Sequence, residues 1–326
     1  MKAIEVVTFG EAMSMFMAQT PGPLHEVTEF TQALAGAETN TAIGLARLGF
    51  SSGWASKVGR DAFGKFILAA LQKEGVNTEH VLIDEQYPTG FQFKSKVLEG
   101  DPHVQYHRKG SAASRLTEEE MRADYFLQAR HLHMSGIPLA LSPEMRAFSM
   151  KVLSLMKWAG KTVSFDPNLR PSLWASEEEM VRVTNEAAYQ ADIVLPGIEE
   201  GKRLTGYDDP ARIADFYVRK GVPCVVVKLG KEGAYIKTID EEAIVPGYEV
   251  EQVVDTVGAG DGFAVGVVSG MLEEEPIQEC VRRGNAIGAM AIQHAGDHEG
   301  YPDRLTLERF MKKFEKEVAY NENTAR

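Results

Sequence analysis

The sequence predicts an α/β fold: a mostly parallel β-sheet flanked by helices on both faces, with a small β lid. Three observations lead there. Short β-rich apolar runs alternate along the chain with segments of helical spacing, the pattern of βαβ units. Residues 224–229 form a nearly continuous apolar run, as strands buried on both faces do. Residues 91–108 break the rhythm with two alternating runs around a turn signal.

Taken in order, residues 4–9 read as a strand closed by Gly10, and 39–48 as a helix ending at Gly49. Residues 54–58 are a short strand, and 63–74 a helix closed by Gly75. A strand at 162–165 leads into the polar turn of Asp166, Pro167 and Asn168. Pro196 stops the apolar run 192–195, and a glycine-rich turn joins 224–229 to a strand at 234–237. Runs 91–98 and 103–108 alternate about Glu99, Gly100, Asp101 and Pro102. Such a hairpin suits either an edge of the main sheet or a lid over the C-terminal strand ends, where ligands bind in open α/β sheets. We read it as a lid built largely from about 88–110, within one domain spanning 1–326.

The chain has 326 residues, 44% hydrophobic and 25% charged, ordinary for a globular enzyme. With 35 basic and 47 acidic residues its net charge is −12, which argues against a nucleic-acid partner. It does not argue against an anionic substrate, because a few local cations override net charge. Cys224 and Cys280 supply neither a disulfide framework nor a CxxC metal site. Glu5 interrupts the apolar run a secretory leader needs, and the apolar stretch 262–272 is too short to span a bilayer, so a cytoplasmic protein with no membrane partner is expected.

The most informative stretch runs from Val253 through Asp255, Thr256, Val257, Gly258, Ala259, Gly260 and Asp261 to Gly262 and Phe263. A β run enters a turn of small residues, and helical spacing follows from about 260 to 272. Backbone N–H groups at a helix N-terminus attract anions such as a transferring phosphoryl group. Asp261 stands in the first turn, where a carboxylate can take a proton from an attacking hydroxyl. An isolated pattern of this kind is more often only a first-turn acid after a glycine turn.

The full string resembles the C-terminal signature of the ribokinase-type carbohydrate kinases, also called the phosphofructokinase-B family. It is neither a P-loop nor a dinucleotide fingerprint. Gly36, Ala37, Glu38, Thr39, Asn40, with Leu45, Ala46, Arg47, Leu48, Gly49, resemble that family's N-terminal signature, continued by Val58, Gly59, Arg60, Asp61 and Gly64. The similarity runs from about residue 6 to 301. It implies a ribokinase-like fold in which ATP lies across the C-terminal sheet edge and a sugar hydroxyl attacks the γ-phosphate. It implies that Asp261 is the base and that Gly258, Ala259 and Gly260 form an anion hole. Lys228, Gly230 and Gly233 match the nucleotide loop, and Asn168 and Asn285 are further ATP contacts by resemblance; the glycines are otherwise a plain turn, and Asn285 a plain helix residue. Many members carry Asn-x-x-Glu after a strand, linked to Mg²⁺ and phosphate. Here Glu200 fills the acidic position but Gly197 replaces the asparagine, so Mg²⁺ would be held mostly through water, and Glu199 and Glu200 also read as first-turn helix acids. A monovalent cation belongs to the same expectation.

Several segments resemble 2-keto-3-deoxygluconate kinases within that family: residues 105–114, which include Tyr106 and Arg108; 131–137 with 140–142; and 296–300, which include Asp297. The segment 165–171, with Asn168 and Arg170, is shared with fructokinases. A guanidinium grips a carboxylate with two parallel hydrogen bonds, so Arg108 and Arg170 are expected on the acid group, with Tyr106 adding a hydroxyl. Alternatively Arg108 is a solvated strand residue, and Arg170 a loop brace or a phosphate contact. Gly36, Asn40 and Asp297 are the further sugar contacts expected. Where many fructokinases have an aspartate for sugar hydroxyls, this chain has Met15.

The expected function is therefore ATP-dependent phosphorylation of 2-keto-3-deoxygluconate at C6, with fructokinase or another sugar kinase as the alternative. A nucleotide-binding regulator on a dead kinase fold would lack Asp261 or the glycine turn, and a dehydrogenase would need a dinucleotide fingerprint after the first strand. His131 and His133 lack a third ligand at sensible spacing and read as strand packing rather than a metal pair. Met13, Met15 and Met17 read as a buried strand face, and the charges of 308–317 as a solvated helix. A lid with an exposed face leads to the expectation of a homo-oligomer, a dimer or higher.

Overall fold

The computed structural model describes residues 3–97 and 102–324, with side chains through residue 314. In chain order its strands are β1 (Val6–Phe9), β2 (Met13–Pro21), β3 (Phe30–Ala35), β4 (Ser52–Gly59), β5 (Val81–Asp84), β6 (Phe91–Lys96), β7 (Val104–His107), β8 (His131–Ser135), β9 (Thr162–Asp166), β10 (Ile193–Val194), β11 (Cys224–Lys228), β12 (Ala234–Thr238) and β13 (Glu242–Val245). Among the described residues they form a nine-stranded sheet, β13-β12-β11-β10-β9-β8-β1-β4-β5, and a four-stranded sheet, β3-β2-β6-β7.

From β11 through β10, β9, β8, β1 and β4 to β5 the large sheet is parallel, and β12 and β13 add an antiparallel edge. The apolar run at 224–229 is the buried strand expected. Val225 and Val227 belong to one core together with Phe148 and Met156, whereas Val226 belongs to another with Phe263 and Val267 on the other face. Helices thus cover both faces, which explains why the run does not alternate. Most expected strands and helices appear with ends shifted by a residue or two, as at Ala37–Arg47, Ala62–Lys73 and Ala259–Leu272. The β run expected at Val253 and Val254 is instead an exposed loop, because among the described residues no strand edge is there to pair with it. His131 and His133 sit within β8 and bond Ser164, His131 also Thr162, and burial pushes both imidazoles down to about 3, which keeps them neutral packing groups.

The lid differs from its expected outline. The alternating runs do pair as a hairpin, Gln92 opposite Tyr106, but β6 also pairs in parallel with β2, which pairs with β3. Half of the lid therefore comes from the N-terminal segment, whose period-two methionines mark it, with Met15 fully buried. The turn expected at residues 99–102 lies largely outside the described residues. The two lid faces are unlike. Gln92, Lys94 and Tyr106 line a cleft, while Phe16, Phe30, Phe91 and Phe93 form an aromatic cluster on the other face. The last helix, Arg304–Thr324, is not solvated all round, because Leu307 and Met311 are buried against Val265 and Leu45.

The helix Ala259–Leu272 is nearly all buried, and it lies against the helix Ile277–Ala291. Close approach is possible because residue 266 is glycine: a Cβ there would meet the backbone of Arg283 and Gly284. Gly266→Ala should therefore lower the unfolding free energy by about 1–3 kcal/mol, the usual cost of overpacking. Urea titration should show the midpoint falling at unchanged m; an unchanged midpoint would mean that the two helices part without cost.

Candidate active site

A cleft of about 340 Å³ opens where the parallel strands end, between the large sheet and the lid. Glu11 follows β1, Asp166 ends β9 and Asn168 follows it, Lys228 ends β11, and Gly258 to Asp261 open the buried helix. The crevice beyond the carboxyl ends of such strands is where this architecture binds ligands.

Asp261 lies in the first turn of that helix. Asn40 Nδ2 donates to its Oδ2 at 2.8 Å, and Asn168 Nδ2 to its Oδ1 at 3.1 Å. Burial pushes the Asp261 carboxyl up to about 6, helped by Asp166 and Asp297 and opposed by Asn40 and Arg170. The carboxylate is therefore aimed from both oxygens by neutral amides and stays more basic than an exposed aspartate.

Gly258 caps the helix with φ 81°, a left-handed conformation that a side chain would strain. Its carbonyl accepts from the Tyr301 hydroxyl at 2.6 Å. Ala259 N–H leans on the Thr256 carbonyl at 3.4 Å, and the N–H groups of Gly258 and Gly260 donate to no protein acceptor among the described residues. Two backbone donors at the positive end of a helix are thus available to an anion.

Four cations border the cleft, each tied to an acceptor. Lys228 Nζ is 2.7 Å from Asp166 Oδ2; burial works against its ammonium, but Asp166, Glu200 and Asp261 hold its pKa up. Arg170 Nη1 donates to the Leu169 carbonyl at 2.9 Å. Arg108 is not a solvated strand residue: its Nε donates to Glu11 Oε2 at 2.6 Å, and its guanidinium lies over the Tyr106 ring. Held through Nε, Arg108 keeps both terminal nitrogens for a ligand. Lys94 bonds Asp255 and Asp297.

Most residues expected in the site come together here: Gly36, Asn40, Tyr106, Arg108, Asn168, Arg170, Glu200, Lys228, Gly258, Gly260, Asp261 and Asp297 all line this one cleft. Ala259, Gly230, Gly233 and Asn285 do not line it. Gly230 and Gly233 shape the turn after β11, where Leu229 N–H bonds the Gly233 carbonyl at 2.8 Å. The amide nitrogen of Asn285 donates to the carbonyls of Val245 and Pro246, which braces that segment. Sequence reasoning missed Glu11, Gln92, Lys94 and Asp166 as cleft residues. Glu38 of the N-terminal signature is buried beside Ser135, to which its Oε1 is bonded, and burial pushes its carboxyl up to about 7.

Among the described residues, no three His, Cys, Asp or Glu side chains gather as a metal-binding group. Asp166 and Glu200 are carboxylates of the cleft, and Glu200 accepts from Leu169 N–H at 2.7 Å and Gly197 N–H at 2.8 Å. Gly197 thus leaves Glu200 to cap its own helix. Such a set fits Mg²⁺ that arrives with a polyphosphate, since Mg²⁺ keeps waters and uses one or two carboxylates plus substrate oxygens.

Comparison with known proteins agrees with this geometry. A 2-dehydro-3-deoxygluconokinase of Bacillus subtilis (strain 168) is 55% identical over 309 residues, covering 94% of this chain and 95% of that protein. Fructokinase-1 of Oryza sativa subsp. japonica is 31% identical, covering 94% of this chain and 97% of its own. The crystal structure of a PfkB protein from Polaromonas sp. JS666 superposes with a TM-score of 0.87 at 48% identity, over 94% of this chain and 99% of that one. A fructokinase double mutant from Vibrio cholerae O395, solved with fructose, ADP and potassium, superposes with a TM-score of 0.85 at 28% identity, over 95% and 99% of the two chains. Residues 3–304 match the pfkB family carbohydrate kinase pattern. With both signatures, the lid and the cleft in place, the chain belongs to the pfkB family of carbohydrate kinases.

Proposed function

We propose that this enzyme transfers the γ-phosphoryl group of ATP to the C6 hydroxyl of 2-keto-3-deoxy-D-gluconate, giving 2-keto-3-deoxy-6-phosphogluconate and ADP in the cytoplasm. The observation that carries the proposal is the Arg108 guanidinium, anchored by Glu11 with its two terminal nitrogens free, in one cleft with Asp261. A neutral sugar has no use for that fork, whereas the C1 carboxylate of the acid matches it. The likeness to the Bacillus subtilis kinase supports the same substrate.

Asp261 takes the C6 hydroxyl proton as the oxygen attacks the γ-phosphorus and the bond to ADP breaks. Asn40 and Asn168 orient the carboxylate, and the N–H groups of Gly258, Ala259 and Gly260 receive the phosphoryl charge. Lys228 and Arg170 add positive charge near the phosphates, Arg170 by virtue of its closeness to Asp261. Arg108 with Tyr106 grips the carboxylate, while Gly36, Asn40 and Asp297 bound the sugar. Gly230 and Gly233 shape the nucleotide loop. Glu200 and Asp166 would hold Mg²⁺ through water, and that ion supplies neutralisation of the ATP phosphates. A monovalent cation belongs to the same proposal. So does a homo-oligomer in which a second copy covers the aromatic face of the lid; sedimentation should then give at least twice the 35.9 kDa chain mass, and a mass of one chain would end that part of it.

Asp261→Asn should lower kcat by ~10²–10⁴-fold, the usual cost of a lost general base, with ATP binding retained. In the wild type, kcat/KM should fall by about tenfold per pH unit below the Asp261 pKa of about 6. Because the folded pKa lies above the ordinary value of 3.8, the fold favours the protonated carboxyl. Its contribution to stability is complete below the ordinary value and is lost as pH rises through about 6. Asp261→Asn should therefore melt above the wild type at neutral pH, the gap closing toward acid. Near-wild-type kcat in this variant would remove Asp261 from the reaction.

An ATP-coupled panel of 2-keto-3-deoxygluconate, 2-keto-3-deoxygalactonate, fructose, ribose and adenosine tests the substrate. The acid should exceed fructose in kcat/KM by about a hundredfold or more, since unpaired buried polar groups cost several kcal/mol. Arg108→Lys keeps the charge and loses the fork, so it should weaken the acid, and Arg108→Ala should narrow the preference further, whereas Arg170→Ala should slow the acid and fructose alike. Equal use of fructose would make the enzyme a fructokinase instead.

A further inference from the structure

Lys94 belongs to lid strand β6, yet its ammonium bonds to loops on the far side of the cleft. Its side chain is 4% exposed, and Nζ lies 2.5 Å from Asp255 Oδ2 and 3.3 Å from Asp297 Oδ1. Those two carboxylates come from the two loops that meet at Gly258. Asp255 opens the glycine turn, where its Oδ1 accepts Val257 N–H at 3.1 Å, and Gly296 N–H reaches its Oδ2 at 3.4 Å. The Asp297 carbonyl packs so closely on Gly258 that a Cβ there would overlap it.

The three groups carry one positive and two negative charges in a place nearly closed to water. Two adjacent carboxylates repel there, and the ammonium bonded to both offsets that repulsion and holds them close. Without it the repulsion favours parting of the two loops, which moves the turn between them. Burial, helped by Glu299, holds the Asp297 carboxyl above its ordinary range, and Lys94 opposes that push.

We propose that Lys94 is a positioning residue that couples the seating of the lid to the phosphate-binding turn: by holding Asp255 and Asp297 together it sets the amides of Gly258, Ala259 and Gly260 in place. The proposal rests on reading that turn as the anion hole of the kinase. It gives the lid a second task besides covering the sugar. With β6 unseated, the turn is incomplete, and the γ-phosphate of bound ATP lacks the donors that would stabilise its transfer to water.

Lys94→Met keeps the stem and removes the charge. It should lower kcat by about ten- to a hundredfold, the cost of a misplacement near 1 Å, while KM for the sugar acid moves by less than about threefold. In the protein without substrates, amide hydrogen exchange at Asp255, Val257 and Gly296, whose N–H groups are bonded, should quicken by about tenfold or more, with β1 unchanged. Lys94→Met/Asp255→Asn removes one repelling carboxylate and should recover part of the lost kcat. A raised KM with kcat intact would overturn the proposal in favour of a direct substrate contact, and unchanged exchange or purely additive losses would overturn it as well. Should Lys94→Met fail to fold, Lys94→Arg carries the same comparison, with intermediate exchange and kcat expected and wild-type values overturning the proposal. Exchange is read without turnover, so an absence of kinase activity in the wild type would count against the proposed function and leave this measurement standing.

Discussion

The cleft depends on a carboxylate and an anion site sharing the positive end of one buried helix. Asp261 and the turn from Gly258 to Gly260 occupy adjacent positions at that end, so a group bound by the turn lies beside the carboxylate. The carboxylate is held by Asn40 and Asn168, both neutral donors. A lysine or arginine in direct contact would drag its pKa down and weaken it as a base; amides orient it and leave it near 6. Much of the surrounding architecture follows from this constraint. The helix is sunk between others through Gly266, the N-terminal signature delivers Asn40, and the end of β9 delivers Asn168.

The cations of the cleft obey a second rule. Arg108 leans on Glu11, Lys228 on Asp166, and Lys94 on Asp255 and Asp297. Each carboxylate offsets the cost of bringing a cation out of water, and each holds only part of the donor set, so direction is preserved toward the cavity. The cleft lining carries four basic and five acidic side chains, so what it offers an anionic ligand is the placement of its donors rather than a net positive charge.

What the sequence by itself determined is what neighbouring residues encode. The apolar run of β11 announces a strand buried on both faces, glycines announce turns such as Gly258, and Asp261 follows directly in the helix they open. The alternating hairpin of the lid was legible for the same reason, as were the residues that converge on the cleft, because the two signatures carry them in short strings. What only the tertiary structure decided is which distant groups share a charge. Arg108 and Glu11 are 97 positions apart, and Lys94 lies 161 and 203 positions from its two carboxylates. The pairing of β2 with β6, which completes the lid, spans a similar gulf, and Asn285 took a brace's role because the carbonyls at the end of β13 happened to reach it. Periodicity and turn chemistry act through the local backbone, whereas an ion pair in a dry cleft is selected by packing, which no short stretch of sequence contains.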